Sequence, residues 1–405
     1  MVKYDTAIKL MQKAIFTENT NHHQALLGCI FVVCFEMLLG NRRLAVKHAQ
    51  AGTMILKQRL VLRKGESPLL SPSPLTIENG IVKAFRNLDI QNAFLKGRRS
   101  AAFNEIINQH YTNMAALPIS FTDLREAQKW LNLVVRRICH FVFAPSSVSK
   151  SMGFAKKYDA GPPEDNFAIA SMNAYSTFCT SFKVTETTQT LQNNFATEMA
   201  NWMHVFAPLF KRVCGKSGAG DVPSTCFYNA AAMMQMQAIA TTILIAGVVI
   251  TNEMEYDKFN PQFQELVDLA TAVVELRQRR KKDNAWVGGF WIDIGITPQL
   301  FVVVTRCRDP VIRRRAIKLL EGWYAEGSWD PRLIAQIGSF MMDIEEMAMS
   351  IDPAWETNGV IPERARGVLT LISEHSGEGR ELMQCVLRNS GVDGEPVWKE
   401  KYIEW

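Results

Sequence analysis

The chain has 405 residues, 47% of them hydrophobic and 21% charged. That is a globular balance, which excludes a largely disordered chain and allows a sizeable core without disulfide or metal staples. A formal net charge of +5 over this length is too small for the basic footprint of a nucleic-acid binder. Met1-Val2-Lys3-Tyr4-Asp5 is not a basic region leading into an apolar run, so no secretory signal is expected.

In chain order, residues 5–17 carry Ala7, Ile8, Leu10, Met11, Ala14 and Ile15 on one helical face. Ala25 to Leu39 is apolar but only 15 residues long and holds Glu36, so a buried helix is expected rather than a membrane span. Gly40 suits a left-handed helix end and Asn41 a helix start. The next helix, to about Leu60, presents Ala45, Ala49 and Gly52, small residues that allow close helix packing. Ser-Pro and Gly-rich composition predicts mobile loops at about 61–76, 144–165 and 213–223, with Ser67, Ser71 and Ser73 before prolines as modification candidates.

Helical patterning returns at Ile77 to Phe94 and again after Pro118. Further helices are expected at about 168–185, 187–212, 224–251, 261–282, 296–307, 309–325, 330–350 and 362–376. Ala230 to Ile250 is long enough to span a membrane, but Gln235, Gln237 and two threonines favour a core helix. Phe301-Val302-Val303-Val304 could be a strand, yet it lies in a run that otherwise reads as helix. The fold class expected is all-α, a single large helical domain over 1–405.

Catalytic signals are weak. Cys214-Gly215-Lys216-Ser217-Gly218 imitates a phosphate loop, but Phe210 stands where that motif needs its first glycine. None of the seven histidines has a zincin partner at i, i+4, and His204 reads as a core histidine. The eight cysteines (Cys29, Cys34, Cys139, Cys179, Cys214, Cys226, Cys307 and Cys385) include no C-x-x-C pair. They read as reduced thiols, mostly buried. No catalytic residue, metal or cofactor is expected.

Arg277-Gln278-Arg279-Arg280-Lys281-Lys282 is the densest basic run. It has three readings: cations at a helix C-terminus, a nuclear import signal, or a nucleic-acid contact. In the run Arg306 to Ala316, Asp309 can cap a helix, Pro310 fits its first turn and Arg313 can pair back to Asp309.

Two stretches carry a family resemblance. Cys307-Arg308-Asp309-Pro310-Val311-Ile312-Arg313-Arg314-Arg315-Ala316 resembles the C-R-D-P-x-I-R-R-x-A signature of the regulatory domain of fungal zinc-cluster (Zn₂Cys₆) transcription factors. Ala25 to Glu36 with Gly40, Asn41, Ala45, His48 and Gly52 resembles the helical hairpin of the same domain. Weaker elements stand in order between and after them. They are Phe85 to Gln91, Glu253 with Asp257-Lys258-Phe259, Phe290 to Pro298, and Glu326-Gly327 with Trp329-Asp330. The resemblance departs at the front, because the six-cysteine zinc cluster has no counterpart in these residues.

What the resemblance implies is an all-helical, ligand-binding-like domain with an apolar pocket and a helical dimer surface. The expected function is regulator-like, in fungal secondary metabolism, in the nucleus or in both nucleus and cytoplasm. The partners implied are an apolar small molecule, the transcription machinery or a second copy. Neither sequence-specific DNA binding nor a membrane is expected. Composition adds Trp202, Phe206, Met233, Met236 and Trp291 as candidate pocket residues, since Met and aromatic side chains line adaptable pockets as well as cores. The alternative is a pocket enzyme of the cyclase or isomerase kind on the same scaffold.

Overall fold

The structure is a computed structural model. It describes residues 6, 22–39, 41–59, 79–96, 117–142, 184–215, 222–282, 290–291, 295–327, 329–351, 360–375, 380–387 and 397–404. Among these residues the chain is mostly α-helical with one small antiparallel sheet, which agrees with the expected class. Apart from Thr6, Val184 and Thr185, the expected helices over 5–17 and 168–185 lie outside the described residues, as do the expected loops at 61–76 and 144–165.

The chain forms two compact units. The first comprises Met1–Asn92, Gly288–Ile294 and Ala325–Trp329. Its helices are α1 (His22–Leu38), α2 (Arg42–Arg59) and α3 (Asn79–Lys96). Their shared core holds Leu26, Cys29 and Val33 of α1, Ala45, Ala49 and Leu56 of α2, and Val82, Phe85 and Leu88 of α3. Small residues on α2 permit this approach, as the sequence suggested. A Cβ on Gly52 would stand 2.5 Å from Phe85 Cζ and 3.2 Å from Cys29 Cβ.

Glu36 closes the α1–α2 corner. Asn41 donates its side-chain amide to Glu36 Oε2 at 2.8 Å and its backbone N–H to the Glu36 carbonyl at 2.8 Å. The backbone bond, six residues back to one, is that of a Schellman helix end. Two-residue strands β1 (Phe290–Trp291) and β2 (Ala325–Glu326) pair in parallel. Glu326 and Trp329 exchange backbone hydrogen bonds at 2.9 Å around Gly327, whose φ of 56° is the left-handed value that glycine adopts freely.

The second unit comprises Ala93–Val287, Gly295–Tyr324 and Asp330–Trp405. Its helices are α4 (Leu124–Val142), α5 (Glu186–Cys214), α6 (Val222–Ala246), α7 (Asn260–Lys282), α8 (Thr297–Arg306), α9 (Pro310–Glu321) and α10 (Pro331–Ile351). Thr122 and Glu126 flank the start of α4 at a spacing that is not that of a capping box, with Asp123 as the cap. Asp123 Oδ1 accepts from the Glu126 N–H, while Glu126 Oε2 accepts from the N–H and hydroxyl of Thr122. α6 packs against α4, α5, α7 and α8. Its stretch Cys226–Ala246 is long and apolar enough to cross a membrane, but 67% of the most apolar window is buried inside the protein, as in a core helix. α8 is buried at every residue from Thr297 to Arg306. That explains why a run of three valines there is helix: each helix face meets apolar neighbours, so no alternation is needed.

The expectation of a helix over 362–376 is overturned. A short 3-10 turn, Glu363–Ala365, leads into strand β3 (Gly367–His375), which pairs with β4 (Arg380–Leu387) and then β5 (Val397–Glu404) in the order β3-β4-β5. β4 is central and buried on both faces from Met383 to Leu387. The expected helix falls on β3, whose short run Val368-Leu369-Thr370-Leu371-Ile372 has no period that distinguishes strand from helix.

Candidate functional site

The signature run forms the junction of α8 and α9. Asp309 is the N-cap of α9, accepting from the N–H groups of Val311 and Ile312 at 2.9 and 3.0 Å, and Pro310 follows it in the first turn. The pairing of Arg313 back to Asp309 does not occur. Arg313 is 1% exposed and turns inward, donating Nε to the Val304 carbonyl at 2.9 Å and Nη1 to Glu345 Oε2 at 2.5 Å. The reason is register: residue 313 shares the buried face of α9 with Ile312, Ala316 and Ile317, so its guanidinium can reach only the interior. Arg314 and Arg315 lie toward solvent, pairing with Glu346 of α10 and Asp268 of α7.

Around Arg313 lies a buried charge network drawn from four parts of the fold. Glu345 of α10 is fully buried. It receives Arg313, Arg308 Nε at 2.9 Å, and the backbone N–H of Gly367 at 2.7 Å. The Arg308 approach is a close ion pair off the line of a hydrogen bond. Arg308 also donates to the carbonyls of Thr305 and Gly367, both at 2.8 Å. Glu253 opens the 3-10 segment Glu253–Phe259 and is 0% exposed. It meets Arg306 Nη1 at 2.7 Å and Arg308 Nη2 at 3.4 Å. Arg366, just before β3, donates to the Glu253 carbonyl and grips Asp257 with both terminal nitrogens at 2.7 and 2.6 Å. Arg306 also lies 5.0 Å over the Tyr256 ring.

Burial works against the charge on Glu345. The guanidinium groups of Arg308 and Arg313 and the Gly367 N–H outweigh it and hold the carboxyl below its ordinary value. Two buried thiols flank the network. Burial pushes Cys307 up to about 11 and raises Cys385 as well. Both are therefore protonated at neutral pH and poor nucleophiles. A carboxyl held as Glu345 is held is not poised as a general acid or base. The arrangement is a clamp joining α8–α9, α10, the 3-10 segment and the C-terminal sheet.

The candidate pocket residues are distributed as follows. Trp202 and Phe206 of α5 are fully buried and stack with ring centroids 4.6 Å apart, and Trp202 donates its indole N–H to the Ala127 carbonyl at 3.1 Å. On α6, Met236 is buried and Met233 half-buried. Trp291 belongs to the other unit, on β1, and its side chain lies outside the described residues. His204 is exposed, against the expectation of a core histidine. It lies between Trp202 and Phe206 in sequence and so falls off the face that the two aromatics share.

Glu345, Arg366 and Gly367 were missed in the sequence. Glu345 did leave a signal, as the third member of the i, i+4 series Ile337, Met341, Glu345, all fully buried. A charge on an apolar stripe calls for a buried partner.

The fold thus defines a mostly all-α protein whose signature segment is a buried structural junction. No protein-family model and no solved structure matches the chain. Over 111 residues, 27% of this chain, it is 32% identical to the aspercryptin biosynthesis cluster-specific transcription regulator atnN of Emericella nidulans. The matched stretch spans 18% of that relative's length. The match supports a transcription-regulator-like protein.

Proposed function

We propose that this chain is a regulator of fungal secondary metabolism that acts in the nucleus by binding an apolar small molecule or a protein partner, rather than by reading DNA itself. The observation that carries the reading is the signature Cys307 to Ala316, seated in a buried charge clamp. The partial identity to a cluster-specific transcription regulator supports it. The small net charge and the lack of any C-x-x-C pair in these residues favour action through a partner over direct DNA contact.

Two experiments test this. The full chain is tethered to a heterologous DNA-binding domain that carries its own import signal, upstream of a reporter. Reporter output should change relative to the tether alone, and an unchanged output refutes the regulator reading. The purified chain is also screened by thermal shift against sterols, polyketides and terpenoids. A ligand specific to the folded state adds about 2.7 kcal/mol at a hundredfold excess over Kd. A hit returned unchanged supports a ligand-responsive regulator, whereas turnover of the hit would establish the enzyme alternative.

A further inference from the structure

We infer that the basic run ending α7, Arg277 to Lys282, is a docking segment for an acidic protein groove of the kind a nuclear import receptor presents. The choice of receptor rests on the regulator reading above.

The chain has two dense basic runs, and the structure separates them. The triplet Arg313-Arg314-Arg315 is committed to Glu345, Glu346 and Asp268. The α7 run has a different setting. Phe263, Leu266, Val267, Ala270, Val273 and Val274 anchor the first part of the helix in the core. Val274 is the last buried residue of α7 among the described side chains, and Gln278 and Arg279 are exposed. Arg277, lying 4.7 Å over the Trp323 ring, is a tie back to the body. Gln278 and Arg279 therefore lie beyond the buried part of the helix.

Its charges do not suit a merely structural helix end. Cations in a last turn gain from the helix dipole, but here they oppose one another. Arg277 and Lys281 are four apart, Arg277 and Arg280 three apart, and Arg279 and Lys282 three apart. Like charges at these spacings destabilise a helix. Glu275, at i, i+4 with Arg279, is an acid within reach on the same helix. Complementary carboxylates on a partner would turn this repulsion into attraction, and short runs rich in Lys and Arg serve as import signals for that reason. An acidic protein is a better fit than nucleic acid. One helix end can neutralise only a few phosphates, and the chain as a whole adds little positive field.

The test uses the full chain fused to a fluorescent protein in a fungal host, together with the purified chain and a purified import adaptor. The wild-type fusion should concentrate in the nucleus. R279A/R280A/K281A/K282A should shift to the cytoplasm and weaken the adaptor complex at least about tenfold, since it removes four of the run's five cations. R279K/R280K, which keeps the charge, should behave as wild type. R314A/R315A should also behave as wild type, because those arginines already have acids. Wild-type far-UV spectra and a cooperative melting transition in every variant show that the fold is retained.

Exclusion of the wild type from the nucleus overturns the inference. Wild-type accumulation of the fourfold variant does so too, as does an R314A/R315A defect of the same size. If the fourfold change weakens binding to random duplex DNA and spares the adaptor complex, the run is a nucleic-acid surface and the inference falls. The tethered reporter brings its own import signal, so a silent reporter refutes the regulator reading without touching this one.

Discussion

Glu345→Gln is the sharpest perturbation the structure offers. The substitution keeps the shape and removes one charge that faces Arg308 Nε at 2.9 Å and Arg313 Nη1 at 2.5 Å. In either orientation the new amide sets a donor against a donor, toward Arg313 or toward Arg308 and the Gly367 N–H. Glu345 and Arg313 are 0% and 1% exposed, so water cannot rescue them. Breaking such a buried pair from one side costs about 3–5 kcal/mol. Against a total stability of about 5–15 kcal/mol this is a large fraction, and the melting point should fall by roughly 5–8 °C for a unit of about 300 residues. Arg313→Met should cost a similar amount, and the two changes should couple by about 0.5–3 kcal/mol in a double-mutant cycle. Asp309→Ala, which removes a cap, should cost about 0.5–2 kcal/mol. Arg314→Ala should cost about 0–1 kcal/mol, because its pair with Glu346 is half in solvent. The assay is thermal melting, with amide exchange of α8 and α9 reporting the local opening free energy. A Glu345→Gln protein within about 1 kcal/mol of wild type, or an Arg314→Ala protein equally damaged, would refute the reasoning.

Gly52→Ala should destabilise the first unit by about 1–3 kcal/mol, because its Cβ would press into Phe85 and Cys29; denaturant midpoints equal to wild type would contradict that packing. Acid should weaken the second unit in a defined window. The folded carboxyl of Glu345 releases its proton more readily than the unfolded one, whose ordinary value is 4.5. Its contribution is therefore complete above that value and is lost as pH falls through the lower folded value. Urea midpoints measured down the pH scale should show an added loss there that Glu345→Gln lacks. In native protein a thiol reagent should label the exposed Cys226 well ahead of the buried Cys307 and Cys385, which should react only on unfolding. Equal native labelling would show the clamp to be open.

Local features of the sequence survived folding. Helix positions from α5 to α10, the cap at Asp309, the small-residue seam at Gly52 and the corner at Asn41 all follow from spacing within about seven residues. Over that range helix periodicity, capping hydrogen bonds and Cβ sterics act without reference to the rest of the chain. Partners remote in sequence did not show. A neighbouring acid at i, i+4 made Asp309 the evident partner for Arg313, yet the tertiary fold gave that arginine to Glu345, 32 residues on. Arg366 reaches Asp257 across 109 residues. The pattern over 362–376 reads as helix, yet Gly367–His375 forms β3, because its hydrogen-bonding partner β4 lies outside that stretch and no pattern within it encodes a strand pairing. Burial also decided which arginines are paired inside the protein and which remain at the surface. It depends on what packs over a residue from elsewhere, and no local pattern encodes that.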